Sequence, residues 1–288
     1  MVLIGATGML GKAIMQYSKE NSIKVSGVSR NDSDINIDIL NYDELYSSIK
    51  QINPRVIINC AAIININYCE MNPKGAYLVN SHLVEMLVDI CIKLDIFLVQ
   101  ISTDHFFTND LMKKHSETDS VKLVNNYAKS KYAGEKFAMS YPNSLSIRTN
   151  IVGLRNRGGP SFLEWVLFSL ENNEKMVLFD DFYTSSIDTY NFSKNLFELI
   201  EFKEKLNFRL INLASSEVAS KAVFIEKIAY AFGYKLNNFE LGSIHSIPGS
   251  LRAESLGLDV SKVEGFLKKS MPTTDEVVNT IFKKMGTK

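Results

Sequence analysis

The sequence predicts an α/β fold, a doubly wound parallel sheet with a smaller C-terminal region, and three observations carry that prediction. Short apolar runs bounded by turn residues alternate with longer amphipathic segments through the first half of the chain. The runs are rich in Val, Ile and Leu without polar alternation, as in strands covered on both faces, so the sheet should be parallel. A glycine-rich stretch, Gly5-Ala6-Thr7-Gly8-Met9-Leu10-Gly11, stands directly between the first apolar run and the first amphipathic segment.

Taken in order, strands are expected at Val2–Ile4, Lys24–Val28, Arg55–Asn59, Phe97–Ile101 and Ser144–Arg148. Helices should fill the gaps at Met9–Lys19, Tyr42–Gln51, Lys74–Leu94 and Asn126–Ser140, each with apolar residues recurring at helical spacing. Near residue 150 the alternation breaks at Arg155-Asn156-Arg157-Gly158-Gly159-Pro160, followed by a helix near Phe162–Leu170. Phe208–Leu213 again reads as a buried strand and Lys221–Phe232 as a helix, so the chain should return to the first sheet. The tail from Asp259 onward is helical and charged. The expected division is residues 1–150 as a nucleotide-binding domain, rejoined at about 187–215, with residues 151–288 mainly substrate-binding.

The glycine stretch carries the first functional expectation. Residues without a side chain let the backbone turn tightly and approach a pyrophosphate, whose charge unpaired N–H groups at the helix N-terminus then meet, and Gly5, Thr7, Gly8, Met9, Leu10 and Gly11 are the cofactor candidates. This is the Rossmann arrangement, although the residues alone also admit a turn without a ligand. The second strand leads into Ser29-Arg30, where enzymes preferring NAD commonly carry an acid. A guanidinium there can pair with the 2′-phosphate of NADP, so NADP(H) is expected, with NAD(H) as the alternative cofactor and a solvated arginine as the plain one. Asp38 and Ile39 lie where the adenine would be held, although a turn aspartate fits Asp38 nearly as well.

Bulk properties narrow the partners. Lys plus Arg equals Asp plus Glu at 32 each, leaving no basic field for a nucleic-acid backbone. Cys60, Cys69 and Cys91 are odd in number and lack CxxC spacing, so free thiols in a reducing compartment are expected. Four histidines show no metal spacing, and no metal is expected. Neither a signal peptide nor a run of roughly 18 apolar residues is read. The expectation is a cytoplasmic protein without a membrane partner, its oligomeric state left open to a homodimer.

The chemistry-bearing residues follow the fourth long strand. Ser102-Thr103-Asp104 leave the C-terminal end of Phe97–Ile101, where open α/β sheets bind ligands. Tyr127 and Lys131 lie four residues apart and so share a helical face. A tyrosine with a reference pKa of about 10 is a poor proton donor near neutrality, and an adjacent ammonium stabilises its phenolate. A hydroxyl from Ser102 or Thr103 can hold a carbonyl against it. In isolation the pair also fits a surface i,i+4 contact.

The order of glycine loop, Ser-Thr-Asp strand end and Tyr-x-x-x-Lys helix resembles the extended short-chain dehydrogenase/reductase family, and Asn59-Cys60-Ala61-Ala62 and Asn80 are similar to its cofactor-side positions. The segments Ile101–Phe107, Cys69–Pro73, Tyr127–Glu135, Ile147–Thr149, Asn212–Ala214 and Arg252 with Leu258–Lys262 are similar to the dTDP-4-dehydrorhamnose reductase branch. That resemblance implies NADPH-dependent reduction of the 4-keto group of a nucleoside-diphosphate-linked deoxysugar, in surface polysaccharide or nucleotide-sugar biosynthesis. It implies Thr103 polarising the carbonyl, Tyr127 donating the proton, Lys131 binding the nicotinamide ribose and Asp104 assisting. It also implies cofactor contacts at Ala61 and Ala62, and substrate contacts at Ser102, Thr103, His105, Asn150 and Arg252. The chain departs from the branch at His105, Phe106, Asn150 and Ser186. Two rival readings are a nucleotide-sugar epimerase or dehydratase, and a non-catalytic subunit resembling the methionine adenosyltransferase beta subunit.

Overall fold

The first strand, Val2–Ile4, is apolar and fully buried at every position, which only a strand covered on both faces permits. The computed structural model, which describes residues 1–155 and 159–286, places it near the centre of a seven-stranded sheet. From one edge the strands are Leu210–Asn212, Ser144–Arg148, Phe97–Ile101, Val56–Asn59, Val2–Ile4, Ser26–Ser29 and Ile35–Asn36. The six from Ser144–Arg148 to Ile35–Asn36 pair in parallel. The chain winds outward from Val2–Ile4 to one edge, then restarts beside it at Val56–Asn59 and winds to the other. The strand order therefore reverses between these two neighbours, the position where such sheets open a ligand crevice.

Differences from the expected elements have local causes. The second strand is Ser26–Ser29, because its pairing starts where Ser26 N donates to Met1 O and the exposed Lys24 lies outside it. Ile35–Asn36 is too short to show a period. The run expected at Lys74–Leu94 begins at Pro73, capped by Asn72, and passes through a wider π-type turn at Leu78–His82. By length and composition Pro73–Leu94 alone among the described helices matches a membrane span, yet Leu83, Val84, Met86, Leu87, Val88, Ile90 and Cys91 are buried in the core around the sheet. Only Leu210–Asn212 of the expected Phe208–Leu213 strand pairs. The tail is two helices, Ser261–Leu267 and Thr274–Gly286, parted where Lys268 turns to φ 56°.

The contacts divide the chain into two units: Met1–Thr103 with Leu123–Arg148 and Phe202–Ile211, and Asp104–Lys122 with Thr149–Glu201 and Asn212–Lys288. The second unit is no smaller than the first, since it gathers the Asp104–Lys122 segment as well as most of the C-terminal half. It is built on three short sheets, the widest ordering Ala219–Ser220, Tyr183–Thr184 and Ser255–Leu256. Its own core joins Leu163, Val166 and Leu170 of one helix to Phe224, Ile225 and Ile228 of a second and Val277 and Ile281 of a third.

Candidate active site

The glycine loop occupies the reversal point of the sheet. Gly5 has φ 81°, and a Cβ on it would stand 2.8 Å from Ala61 N, so the first strand can pass Cys60 and Ala61 only without a side chain. A Cβ on Gly11 would lie 2.2 Å from Gly5 O, which fixes the first helix tightly against the turn. The helix Met9–Glu20 has Gly8 at its N-cap, no side-chain cap and no acid in its first turn. The helices led by Asn41, Asn65, Asn125, Ser161 and Ser220 each have that side chain bonded to their free N–H groups. An open, glycine-lined helix start fits a pyrophosphate.

Thr7 N and Oγ1 both donate to Ser29 Oγ at 3.2 Å, holding the loop to the second strand. Arg30 follows that strand and is exposed. Asp38 is exposed and its Oδ1 accepts from Leu40 N at 3.1 Å, so the carboxylate stabilises its own turn, while Ile39 packs on the sheet core. Ala61 N donates to Asn59 Oδ1 at 3.1 Å, and Ala61 and Ala62 are part-buried beside the loop.

The second cluster lies on the helix Asn126–Ser140, capped where Asn125 Oδ1 accepts from Ala128 N at 2.8 Å. Its buried face carries Tyr127, Lys131, Gly134 and Glu135. Gly134 permits the closest contact: a Cβ there would lie 2.1 Å from Asn80 O in the π-type turn. Asn80 in turn donates to Ile63 O and Ser130 Oγ and accepts from Ile63 N. Lys131 Nζ donates to Ile101 O at 2.7 Å, which ties it to the end of the Phe97–Ile101 strand just before Ser102 and Thr103. Burial lowers the Lys131 ammonium to about 8, against the opposing pull of the Cys60 thiol and Glu135. Cys60 itself is pushed up to about 12 by burial and stays a thiol.

Glu135 was not singled out by sequence reasoning. It is fully buried, accepting from Ser102 Oγ at 2.7 Å and from Arg148 Nε and Nη2 at 3.0 and 2.8 Å. A signal existed in the i, i+4, i+8 series Tyr127, Lys131, Glu135, but its partner Arg148 is set by which strand lies beside Phe97–Ile101.

Asp104, next in the chain to Thr103, belongs to the second unit. There it accepts from Asn150 Nδ2 at 2.6 Å, Asn150 Oδ1 accepts from Ser186 Oγ at 2.7 Å, and Ser186 Oγ lies 3.0 Å from Thr184 Oγ1. Ser186 thus takes a place in a polar chain where the resembling branch has proline. Lys221, also unforeseen, lies over the rings of Phe162, Phe182 and Phe224 at 4.4, 5.7 and 5.8 Å. Burial lowers it to about 8, opposed by Asp104. His105 is lowered to about 4 by burial and by the charges of Lys221 and Arg252, so its imidazole is neutral at physiological pH. Trp165 is 37% and Phe168 56% exposed, and Phe162 packs on the second core. Arg155 lies in the chain before the Ser161 cap, its N–H donating to Glu164, and Arg157 falls outside the described residues. Among the described residues no group of three or more His, Cys, Asp or Glu side chains is placed to hold a metal.

A sheet of order 3-2-1-4-5-6, a glycine loop at its reversal point and a Tyr-x-x-x-Lys helix against the fifth strand define an extended short-chain dehydrogenase/reductase. Within that class the chain belongs to the family described as RmlD substrate binding domain, whose profile matches residues 1–285. It is 26% identical to a probable low-salt glycan biosynthesis reductase of Haloferax volcanii over 94% of this chain and 93% of that protein. It is 30% identical to a dTDP-4-dehydrorhamnose reductase of Aggregatibacter actinomycetemcomitans over 52% of this chain and 50% of that one. Among solved structures, a dTDP-4-dehydrorhamnose reductase of Bacillus anthracis in complex with NADP has a TM-score of 0.88 at 21% identity, covering 98% of both chains. A hypothetical dTDP-4-dehydrorhamnose reductase from Sulfolobus tokodaii has 0.81 at 27% identity, covering 94% of this chain and 96% of that one.

Proposed function

We propose that this chain uses NADPH to reduce the 4-keto group of a deoxysugar carried on a nucleoside diphosphate, as a step in glycan or nucleotide-sugar biosynthesis. The observation that carries the reading is Lys131, buried and tied to Ile101 O, on the helical face it shares with Tyr127. Family membership and the names of the Haloferax and Aggregatibacter relatives support it.

In this reading the Gly5–Gly11 loop holds the cofactor pyrophosphate through Thr7, Gly8, Met9, Leu10 and Gly11. Ala61 and Ala62 flank it, Asp38 and Ile39 lie toward the adenine, and Arg30 takes the 2′-phosphate. Bound NADPH supplies the hydride. Thr103, with Ser102 beside it, holds the sugar carbonyl oxygen, and Tyr127 Oη donates the proton that this oxygen requires as it becomes a hydroxyl. Lys131, kept protonated, lowers the cost of the tyrosinate left behind. Asp104 assists, His105, Asn150 and Arg252 contact the sugar nucleotide, and Lys221 and Ser186 are added because both belong to the Asp104 cluster.

The test is NADPH consumption by the chain with dTDP-, CDP-, GDP- and UDP-linked 4-keto sugars. Net stoichiometric consumption with at least one is the expected result. Conversion of a sugar without net consumption would instead make the chain an epimerase or dehydratase. A non-catalytic role is not favoured, although a beta subunit of methionine adenosyltransferase 2 from Xenopus laevis is 32% identical over 47% of this chain. The intact Ser102-Thr103-Asp104 and Tyr127-x-x-x-Lys131 set argues against lost catalysis.

A further inference from the structure

We propose that Glu135, clamped by Arg148, is a positioning residue that locks the Ser102–Thr103 strand end to the Tyr127–Lys131 helix and sets a negative charge one helical turn from Lys131. The inference rests on the proposed reduction only in naming Tyr127 and Lys131 as its beneficiaries; the lock itself lies wholly within the first unit.

The geometry is a closed set of bonds among three elements. Glu135 Oε2 accepts from Ser102 Oγ at 2.7 Å and from Arg148 Nε at 3.0 Å, and Oε1 accepts from Arg148 Nη2 at 2.8 Å. Ser102 N donates to Ile147 O at 2.7 Å, joining the two strand ends beneath the carboxylate. Lys131 Nζ donates to Ile101 O at 2.7 Å, closing the loop back to the helix. Thr103 follows Ser102 by one residue, so its hydroxyl stands on a backbone fixed from two sides.

A stabilising role does not account for this arrangement. Glu135 and Arg148 have side-chain exposures of 0% and 3%, and a fully buried ion pair is commonly no more stable than apolar residues of the same size. What an ion pair offers that apolar residues do not is a directional clamp, since a fork of guanidinium donors fixes both carboxylate oxygens. The third bond of that carboxylate goes to Ser102, directly before the residue proposed to hold the carbonyl.

The charge has a second consequence. The groups that act on Lys131 are Cys60, which follows Val56–Asn59, the carbonyl of Ile101 on its strand and Glu135 on its own helix, and Arg148 pairs with Glu135. Burial favours the neutral amine, and Glu135 opposes it. Removing the Glu135 charge therefore moves Lys131 toward deprotonation.

The experiment compares wild type with Glu135→Gln and with the double variant Glu135→Gln/Arg148→Gln, which leaves no lone buried charge to unfold the chain. Two readouts are taken. The first is the midpoint of the Lys131 side chain, followed by NMR of ¹³C-labelled lysine and assigned with Lys131→Arg. The second is the pH profile of turnover with NADPH and a 4-keto sugar. The expected result is a Lys131 midpoint lowered by about one pH unit in Glu135→Gln, where Arg148 keeps its charge, and by less in the double variant, with the alkaline fall in turnover moved by the same amount in each. Turnover at its optimum should be reduced roughly 10- to 100-fold, with NADPH affinity unchanged. A folded double variant with undiminished turnover, or a folded Glu135→Gln with the wild-type Lys131 midpoint, overturns the proposal. If wild type turns over no 4-keto sugar while the Glu135→Gln midpoint still falls, the lock stands and the assigned reaction is what fails.

Discussion

In the proposed reduction Tyr127 gives up its proton while the charge of Lys131 stabilises the tyrosinate, and burial brings the Lys131 ammonium down to about 8, within the ordinary assay range. Turnover should therefore be steady in the neutral range and fall as pH rises through about 8, read as the kcat/KM profile with NADPH and a keto sugar. A profile flat to pH 10 would contradict the assignment. At the other end of the cofactor site, Arg30 is exposed and stands beyond the second strand. Arg30→Ala should weaken NADPH binding by roughly 10- to 100-fold, the worth of a charge-assisted contact, and leave NADH binding unchanged; equal effects on both cofactors would remove Arg30 from the 2′-phosphate. Tyr127 and Lys131 were legible in the sequence because one helical turn separates them and the strand end precedes them. Glu135 and Lys221 were not, since the first acts from its helix through Arg148 on a neighbouring strand and the second through three rings from scattered positions.

Helix packing places these residues at the scale of elements. The helix that carries Tyr127 and Lys131 approaches the Pro73–Leu94 run at Gly134, whose missing Cβ would meet Asn80 O at 2.1 Å. The π-type turn at Leu78–His82 lies at that contact, and Asn80 uses its side chain to bond Ile63 and Ser130. Gly134→Ala should cost about 1–3 kcal/mol by overpacking, seen as a lowered midpoint in urea unfolding. An unchanged midpoint would mean that the two helices separate freely there. The sequence showed a single long helix in this place, because apolar periodicity reports a buried face and carries no trace of a wider turn imposed by a neighbour. Strands such as Ile35–Asn36 and the two-residue pairs of the second unit were equally hidden, being shorter than one repeat of any pattern.

For the stability of the whole molecule, burying Lys131 carries a cost. Lys131 has a folded pKa of about 8, below its usual 10.5, so the unfolded chain binds the proton more tightly. Below pH 8 this penalises the fold by a constant amount, and between 8 and 10.5 the penalty shrinks as pH rises. Lys131→Met should accordingly be more stable than wild type at pH 7 by about 1–3 kcal/mol, the advantage fading above pH 8, while turnover is lost. Ile101 O stays bonded in that variant through Gln100 Nε2. A variant less stable at pH 7 would show Lys131 to be structural. The broad architecture was readable because a parallel sheet announces each strand as an apolar run. The assignment of Asp104–Lys122 to the second unit was not, since it follows from long-range contacts such as those of Thr108 and Asn109 with Glu254.

The central claim is that Tyr127 is the proton donor of an NADPH-dependent keto-sugar reduction. It is tested most directly by single-turnover NADPH oxidation with a dTDP-linked 4-keto-6-deoxy sugar, comparing wild type with Tyr127→Phe at pH 7. Wild type should oxidise NADPH, and the variant should lose roughly 10²- to 10⁴-fold of that rate with NADPH still bound. Oxidation by Tyr127→Phe at the wild-type rate would contradict it.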